Sequence, residues 1–416
     1  MNRTLGLRLF CVLLFSEFCH AQGLGSIVGT VSDPSGAVVA SAKVTATEAG
    51  TGFSRTATTD SQGYYVIPSL RPAQYNLSVE ATGFRIANQK GITLLADQAL
   101  TVNVRLELGS RTAIVTVEGG GTQVDTSTST LKQVIELSRI EDLPSNGRNA
   151  AALTLGVPGA VDAPSGGADQ GTTKTYPTAV TVSINGSRQN QINFMLDGGN
   201  NVDEYTNVNQ PFPFPDALQE FSVQTSNFSA QYGQNAGGVV NVVTKSGTNS
   251  FHGDLFEFNR NAIFNARNAF ALKRDQLKRN QFGGTIGGPT VFPRYDGRNR
   301  TFFFAGYQGT RLRNIEEGRK STVPTQAQIS TAGSSINPAS QNLLKFLPLQ
   351  SADATGSVTF NRPDSRNFDE VISRVDHSLR LNDRLTFRHY YARFKKAPVF
   401  DPANILSYQD GSTIGS

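Results

Sequence analysis

The hydrophobic pattern changes character within one short stretch, residues 237–258. Residues 239–243 (VVNVV) are almost continuously β-branched and apolar, which is typical of a strand buried on both faces. Residues 251–258 (FHGDLFEF) alternate between two faces, as in a strand with two different surroundings. The polar, glycine-bearing loop at 245–250 separates them. The pattern therefore predicts that one β domain ends here and another begins.

The N-terminal quarter shows short alternating runs separated by turn signals, which predicts a small β-sandwich over residues 22–108. One face of its last run carries Leu100, Val102, Val104 and Leu106, as expected when a sheet buries one side against a second sheet. The predicted strands are residues 27–31, 43–47, 53–58, 64–67, 75–79 and 100–106.

Residues 109–130 are predicted to be a linker that contains one apolar patch, residues 113–118 (AIVTVE). Such an extended segment can pair with the sheet edge of a partner by β-addition. The alternative is that it continues the last strand of the sandwich, and the residues alone favour this simpler interpretation.

Residues 131–250 combine a short helix that ends before Pro144 with strands near 181–186, 193–198 and 221–225, so an α+β domain is expected. Residues 251–416 contain 16 of the 26 phenylalanines, in strand-like runs at 301–307, 371–379 and 385–394. Alternation with aromatic residues fits membrane-spanning barrel strands, although a soluble sandwich would also alternate.

The composition indicates the cellular compartment of the chain and argues against some functions. Residues 1–21 are predicted to be a secretory signal peptide, with two arginines before an apolar core. Both cysteines, Cys11 and Cys19, lie in that leader, so the mature chain would hold no disulfide. The net charge of +5 is spread without a long basic run, which argues against nucleic acid as a partner.

No constellation for catalysis, cofactor binding or metal binding is visible, so the chain is not expected to be an enzyme. The four histidines lack the spacing of metal ligands. The acidic segment 197–204 offers oxygen ligands for Ca²⁺, but it lacks the glycine of an EF-hand loop and is read as a solvated turn.

Several motifs resemble known families. Residues 29–46 and 58–84 resemble carboxypeptidase regulatory-like domains, which implies an accessory sandwich of seven strands without peptidase activity. The motifs RIEDLPSNGRN, SINGSRQNQINFMLDGGNN, the block from Pro215 to Asn261, QFGGTIGGP and TFFFAGYQG resemble the Oar-like branch of TonB-dependent outer-membrane receptors.

This resemblance implies a plug domain up to residue 250 inside an outer-membrane β-barrel that begins near Phe251, with the sandwich in the periplasm. It also implies an energy-coupling TonB box and a plug–barrel junction. The candidate box is Ile114, Val115, Thr116, Val117 and Glu118, and the junction is Lys245, Ser246, Gly247, Thr248, Asn249 and Ser250. The implied partners are the TonB energy-coupling complex, outer-membrane lipid and an unidentified extracellular ligand.

Such receptors close their barrel with 22 strands, whereas residues 251–416 hold about six. An open edge in lipid would leave backbone groups unpaired, so we expect an N-terminal fragment of a longer protein or a truncated product. The expected fold is mainly β: a sandwich, an α+β plug and the first strands of an incomplete barrel. The expected function is energised transport of a large or scarce ligand. The alternatives are a secreted or surface carbohydrate-binding or adhesion protein, and an exported peptidase, for which no zinc ligands are present.

Overall fold

The computed structural model describes residues 23–109, 114–118, 129–136, 140, 147–163, 178–189, 191–204, 207–233, 235–267, 274–380, 383–408 and 411–415. The predicted signal peptide and nearly all of the predicted helix before Pro144 lie outside these residues. Strands dominate the described residues, which confirms the expected mainly β fold.

The N-terminal part is a sandwich of two sheets, as the alternating runs predicted. One sheet has the order β4-β1-β7, with β8 also paired to β1, and the other has the order β3-β2-β5-β6-β9. Their inward aliphatic and tyrosine side chains form a single core. The strands are β1 (Gly25–Ser32), β2 (Lys43–Glu48), β3 (Ser54–Thr58), β4 (Tyr64–Leu70), β5 (Ala73–Glu80), β6 (Ile86–Leu94), β7 (Ala99–Thr101), β8 (Val104–Arg105) and β9 (Ile114–Glu118).

One sandwich prediction is wrong in detail. The run 100–106 is not one strand but two short ones, β7 and β8, because the chain leaves the ladder between them. There the Asn103 side chain accepts hydrogen bonds from the Thr30 backbone N–H at 2.9 Å and from its hydroxyl group at 3.0 Å. Strand β6 was missed, since the polar run Asn88, Gln89 and Lys90 interrupts its apolar residues.

The sheet that follows the sandwich, here called the central sheet, has the order β10-β15-β16-β13-β14. Strand β16 is buried along nearly its whole length, as its β-branched sequence predicted. The strands of this region are β10 (Leu131–Glu136), β11 (Ala160–Asp162), β12 (Val182–Ile184), β13 (Ile192–Leu196), β14 (Gly199–Asn200), β15 (Leu218–Ser226) and β16 (Gly238–Thr244). Short 3-10 helices lie at Ala150–Gly156, Pro215–Ala217 and Ala230–Tyr232.

The C-terminal sheet, here called the long-strand sheet, is an antiparallel meander of six strands among the described residues, in the order β17-β18-β21-β22-β23-β24. Its strands are β17 (His252–Asn261), β18 (Lys278–Pro289), β21 (Thr301–Thr322), β22 (Ser357–Ser378), β23 (Arg384–Lys396) and β24 (Ser412–Gly415). A small hairpin, β19 (Val291–Phe292) and β20 (Tyr295–Asp296), lies in the connection between β18 and β21.

The connections at the two ends of this sheet differ in length. At one end five residues, 379–383, connect β22 to β23. At the other end β21 and β22 are joined by a long segment with helices α1 (Gln326–Ala332) and α2 (Pro338–Leu344). Further 3-10 helices lie at Ala262–Phe264, Gly333–Ser335, Leu349–Ser351 and Ile405–Ser407. None of the helices described is long and apolar enough to cross a membrane.

Candidate functional site

The long-strand sheet has an inner face, which packs on the central sheet and the segments around it, and an outer face. On the inner face, Phe304 and Ile372 join Phe214 and Ala217 of the central region in one buried cluster. The Arg148 guanidinium lies 4.1 Å from the ring centre of Phe258, a cation–π distance. The alternation predicted for residues 251–258 therefore separates the face that contacts the central region from the opposite face.

The candidate site is built around the carboxylate of Asp197, which lies on the turn after β13. Asp197 has a positive φ of 49°, a conformation that Asp adopts more readily than most residues. Its carboxylate accepts hydrogen bonds from the backbone N–H and the hydroxyl group of Thr244, both at 2.8 Å. The last residue of β16 is thereby held to the turn between β13 and β14.

Two arginines from the inner face of the long-strand sheet reach this carboxylate. Arg388 Nη1 donates to Asp197 Oδ2 at 2.9 Å, and Arg374 Nη1 lies 3.5 Å from Oδ1. Arg374 also donates to the Thr244 carbonyl oxygen at 3.0 Å and to its hydroxyl oxygen at 2.7 Å. The central sheet is therefore held to the long-strand sheet by buried, charge-assisted hydrogen bonds.

The same cluster extends to the sandwich through Asp376. Arg374 Nε donates to Asp376 Oδ2 at 3.0 Å, and Arg71 of the sandwich lies 2.8 Å from Asp376 Oδ1. Side chains of Arg374 and Asp376 are each only 2% exposed. We call Arg71, Asp197, Arg374, Asp376 and Arg388 the ionic cluster. It joins the three parts of the fold at one point.

A second charged contact lies farther along the inner face. Arg148 pairs with Asp216, and its Nε donates to Gln308 Oε1 at 3.3 Å. Burial raises the pKa of Asp216 above its ordinary value, and the Arg148 guanidinium opposes that rise. A cavity of about 200 Å³ opens beside this pair, between the central region and the inner face, and Phe212 and Arg279 are among its lining residues.

The sandwich docks on the central sheet through the turn at Ala96 and Asp97. Glu220 Oε2 accepts from the Ala96 backbone N–H at 2.9 Å, while Lys132 Nζ donates to the Ala96 carbonyl oxygen and lies 3.7 Å from Glu220 Oε1. The Asn241 side chain donates to Asp97 Oδ2 at 2.8 Å. Burial raises the pKa of Glu220, and the Lys132 ammonium group opposes that rise.

The sandwich also contacts the end of the long-strand sheet that carries the five-residue connection between β22 and β23. Arg384, at the start of β23, lies 3.3 Å from Glu48 and 4.6 Å from the ring centre of Phe53. Asn249 donates through its backbone N–H to the Gly50 carbonyl oxygen at 2.9 Å and through its side chain to Asn299 at 2.7 Å. These contacts define which end of the long strands faces the sandwich.

The predicted junction, residues 245–250, connects β16 of the central sheet to β17 of the long-strand sheet. Lys245 donates its backbone N–H to the Ala217 carbonyl oxygen at 2.9 Å. Gly247 passes so close to the long-strand sheet that a Cβ atom there would lie 2.3 Å from the Phe303 carbonyl oxygen. Only glycine fits this approach without displacing backbone. The role of this segment as a plug–barrel junction stays a prediction.

The candidate TonB box is the fifth strand of a sandwich sheet. Its residues form β9, which runs parallel to β6 with Ile114 opposite Ile86 and Glu118 opposite Lys90. In the described sheet order β9 is the last strand, so its outer edge is not paired with another strand there. Recognition of this segment by TonB stays a prediction.

The sequence did not indicate the ionic cluster. Asp197 was considered only as part of an acidic loop, and Arg374 lies 177 residues farther along the chain. The one available signal is that both arginines occupy the same alternating face of β22 and β23 as the buried aromatic residues. No group of three or more side chains suited to hold a metal ion occurs in the part of the chain that the structure describes.

Comparisons with known proteins agree with this arrangement. Residues 243–415 match the family model of an outer membrane beta barrel domain, and residues 26–107 match that of a carboxypeptidase regulatory-like domain. The TonB-dependent transporter Oar of Myxococcus xanthus is 28% identical over 341 residues, covering 76% of this chain and 30% of the transporter.

Two solved structures are similar over 64% of the chain and 33% of their own length. They are the ferric enterobactin receptor of Pseudomonas aeruginosa, with 14% identity and a TM-score of 0.40, and the outer membrane transporter YddB of Escherichia coli, with 11% identity and a TM-score of 0.41. The chain thus spans about a third of the length of the relatives it matches.

Proposed function

We propose that this chain, which is related to TonB-dependent outer-membrane transporters and carries a carboxypeptidase regulatory-like domain, takes part in energised transport of a large or scarce ligand across the outer membrane. Its place is the cell outer membrane, with the sandwich on the periplasmic side. The curated relative is named a transporter, and we assign this chain no catalytic role.

One observation carries the proposal: the central sheet is seated against the inner face of the long-strand sheet through the ionic cluster. In this proposal the central sheet is the plug, over residues 131–250, and residues 251–416 belong to the barrel. The buried ion pairs lie beside a small apolar cluster around Phe214 and Phe304. They are rigid while they are intact, yet they can be opened by breaking specific contacts. Such a seat suits a gate better than a continuous apolar core would.

The ligand would enter from the end opposite the sandwich. The cavity beside Arg148 lies on the inner face, and Arg279 and Phe212 line it together with Asn149 of the central region. The residues there are both aromatic and charged, a common composition for a small recognition site. The identity of the extracellular ligand does not follow from these residues.

Coupling to TonB would use β9. In this proposal TonB adds a strand to the outer edge of β9, since backbone hydrogen bonds at a sheet edge are available to an incoming strand. Force on β9 would then act on the sandwich sheet and, through the chain that follows, on β10 at the start of the central sheet. The pairing with β6 also explains how the box is kept extended before TonB arrives.

The test is deletion of residues 113–118 in the full chain. The wild-type chain, extracted in detergent, should retain the purified periplasmic domain of TonB on an affinity column, and the deletion variant should not. Removal of residues 119–124 instead serves as the length-matched control and should leave retention unchanged. Equal retention of TonB by the deletion variant and the wild type would remove the box assignment.

The alternative, a secreted or surface carbohydrate-binding or adhesion protein, predicts a different location. A transporter should remain with the outer membrane after carbonate extraction, whereas a secreted binding protein should appear in the medium or the periplasmic fraction. Recovery of the chain only in soluble fractions would favour the alternative.

A further inference from the structure

The sandwich is held to the rest of the molecule by polar contacts at one end of its strands. Arg71 lies 2.8 Å from Asp376, Glu48 lies 3.3 Å from Arg384, and the turn at Ala96 meets the central sheet. None of the hydrophobic clusters in the described part of the chain includes side chains from both the sandwich and another sheet. The docking therefore depends on hydrogen bonds and ion pairs. A hydrogen bond is lost once its atoms move apart by about 1 Å.

Strand β9 is part of the sandwich, so a pull on this strand is carried first by the sandwich. It pairs with β6 from Ile114, opposite Ile86, to Glu118, opposite Lys90. Both strands run toward the docked turn at Ala96. A pull from the periplasm points away from that turn, along the strands. It loads the hydrogen bonds between β9 and β6 together rather than one after another, so the pairing resists it.

The chain between β9 and the central sheet is longer than the distance that it has to cover. Ala96 lies six residues beyond Lys90, which is about 20 Å of extended strand. Lys132 of β10 donates through Nζ to the Ala96 carbonyl oxygen, so the path from Glu118 to Lys132 is roughly 30 Å. The 14 residues from Glu118 to Lys132 can extend to about 46 Å. The sandwich can thus move by about 15 Å before this connection tightens, far more than its hydrogen bonds tolerate.

We propose that a pull on β9 lifts the sandwich off the other sheets before tension reaches the central sheet. The docking contacts break early in the movement, whereas β10 is loaded only after the slack is used. Undocking withdraws Arg71 from Asp376 and leaves Arg374 as the ion-pair partner of this carboxylate among the described residues. The ionic cluster is therefore weakened before the central sheet itself is pulled. The inference rests on the proposed coupling through β9 and adds the order of events.

A disulfide can fasten the docked sandwich for a test. A Cβ atom at Gly50 of the sandwich would lie 3.6 Å from the Cβ atom of Thr248 in the junction, within the usual range for a disulfide. Both native cysteines, Cys11 and Cys19, lie in the predicted leader. The double variant Gly50→Cys with Thr248→Cys would therefore form a single, defined crosslink in the mature chain.

Optical tweezers would pull the full chain in detergent between a peptide tag inserted after Glu118 and a second tag after Ser416. The wild type and the reduced double variant should show two events in order. The sandwich first undocks with an extension of about 15 Å, and residues 131–250 then unravel over as much as about 400 Å. The oxidised variant should show neither event at these forces, because the disulfide carries the load past the central sheet. Since the tag replaces TonB, the result is independent of TonB binding, which deletion of residues 113–118 tests separately.

The single variants Gly50→Cys and Thr248→Cys are the controls and should behave as the wild type does under both redox conditions. Arg384→Gln removes a docking contact outside the ionic cluster and should speed the first event roughly tenfold at a fixed force, without changing the force of the second. If the reduced double variant does not fold, this variant carries the test. A long event at the same force in the oxidised and reduced forms would show that β9 peels from β6 first. That result, or a first event unchanged in Arg384→Gln, would overturn the proposal.

Discussion

Replacing Asp197 with Asn should loosen the contact between the central and long-strand sheets. Asn at this position keeps an oxygen acceptor for the Thr244 backbone N–H but removes the charge that faces Arg374 and Arg388. Removing one partner of a buried ion pair costs about 3–5 kcal/mol. Here the loss is smaller, because Arg374 keeps Asp376 and the Arg388 side chain is 26% exposed. We expect a cost of about 2–3 kcal/mol for seating the central sheet.

Hydrogen exchange followed by mass spectrometry measures this cost on the full chain. Backbone amides of β13 and β16 should exchange roughly 30- to 140-fold faster in Asp197→Asn if they open together, since 1.4 kcal/mol corresponds to a tenfold change in an equilibrium constant. Amides in the sandwich core should change far less. Asp162→Asn is the matched control, because it removes an exposed carboxylate from the same region.

A double variant separates the ion pair from other effects of the substitution. If Asp197 and Arg388 interact directly, the combination of Asp197→Asn and Arg388→Gln should cost less than the sum of the two single changes. Exchange in β13 and β16 that stays within threefold of the wild type in Asp197→Asn would refute the assigned role of the cluster in seating the central sheet.

Two further predictions concern the contacts around the junction and the docked sandwich. Gly247→Ala should lower the free energy of unfolding by about 1–3 kcal/mol in a urea titration, because its Cβ would collide with the Phe303 carbonyl oxygen. The control Gly156→Ala should leave the free energy of unfolding unchanged, because its Cβ meets no atom within 4 Å. Equal urea midpoints for the two variants would contradict this reasoning. Burial raises the pKa of Glu220 when the sandwich is docked, so the docked state binds the proton more tightly and docking should weaken as the pH rises from 4.5 through the raised pKa. Glu220→Gln should remove that pH dependence and slow exchange of the Ala96 amide at pH 7 relative to the wild type, because the acceptor stays while the buried charge is removed. A variant with the pH profile of the wild type would exclude Glu220 as the source.

The strands that could be predicted from the sequence are those with a continuous apolar run or a regular alternation of apolar and polar side chains. Strand β16 could be predicted because five successive residues are apolar or tolerate burial, and β17 because its residues alternate. Strand β21 was predicted over only 301–307 but extends to Thr322. Its later residues carry charge on both faces, so alternation between apolar and polar positions stops although the backbone pairing continues.

The candidate site was harder to predict than the fold. Asp197, Thr244 and Arg374 come together only because a turn of the central sheet meets a strand more than a hundred residues away. Nothing in the spacing of these residues marks them as partners. The box at residues 114–118 was recognised as a segment able to pair with a sheet edge, but its pairing partner within the chain, strand β6, was not.

The shared carboxylate of Asp376 makes the docking of the sandwich and the seating of the central sheet reciprocal. Asp376 accepts from Arg71 of the sandwich and from Arg374, which in turn holds Thr244. When Arg71 is in place, the local charge around Asp376 and Arg374 differs from that of the undocked state, so the two equilibria are linked. By thermodynamic linkage, docking of the sandwich changes the equilibrium constant for seating the central sheet by a certain factor. Seating of the central sheet changes the equilibrium constant for docking the sandwich by the same factor. A change in the docking of the sandwich therefore changes the stability of the contact that Arg374 makes with Thr244 of the central sheet.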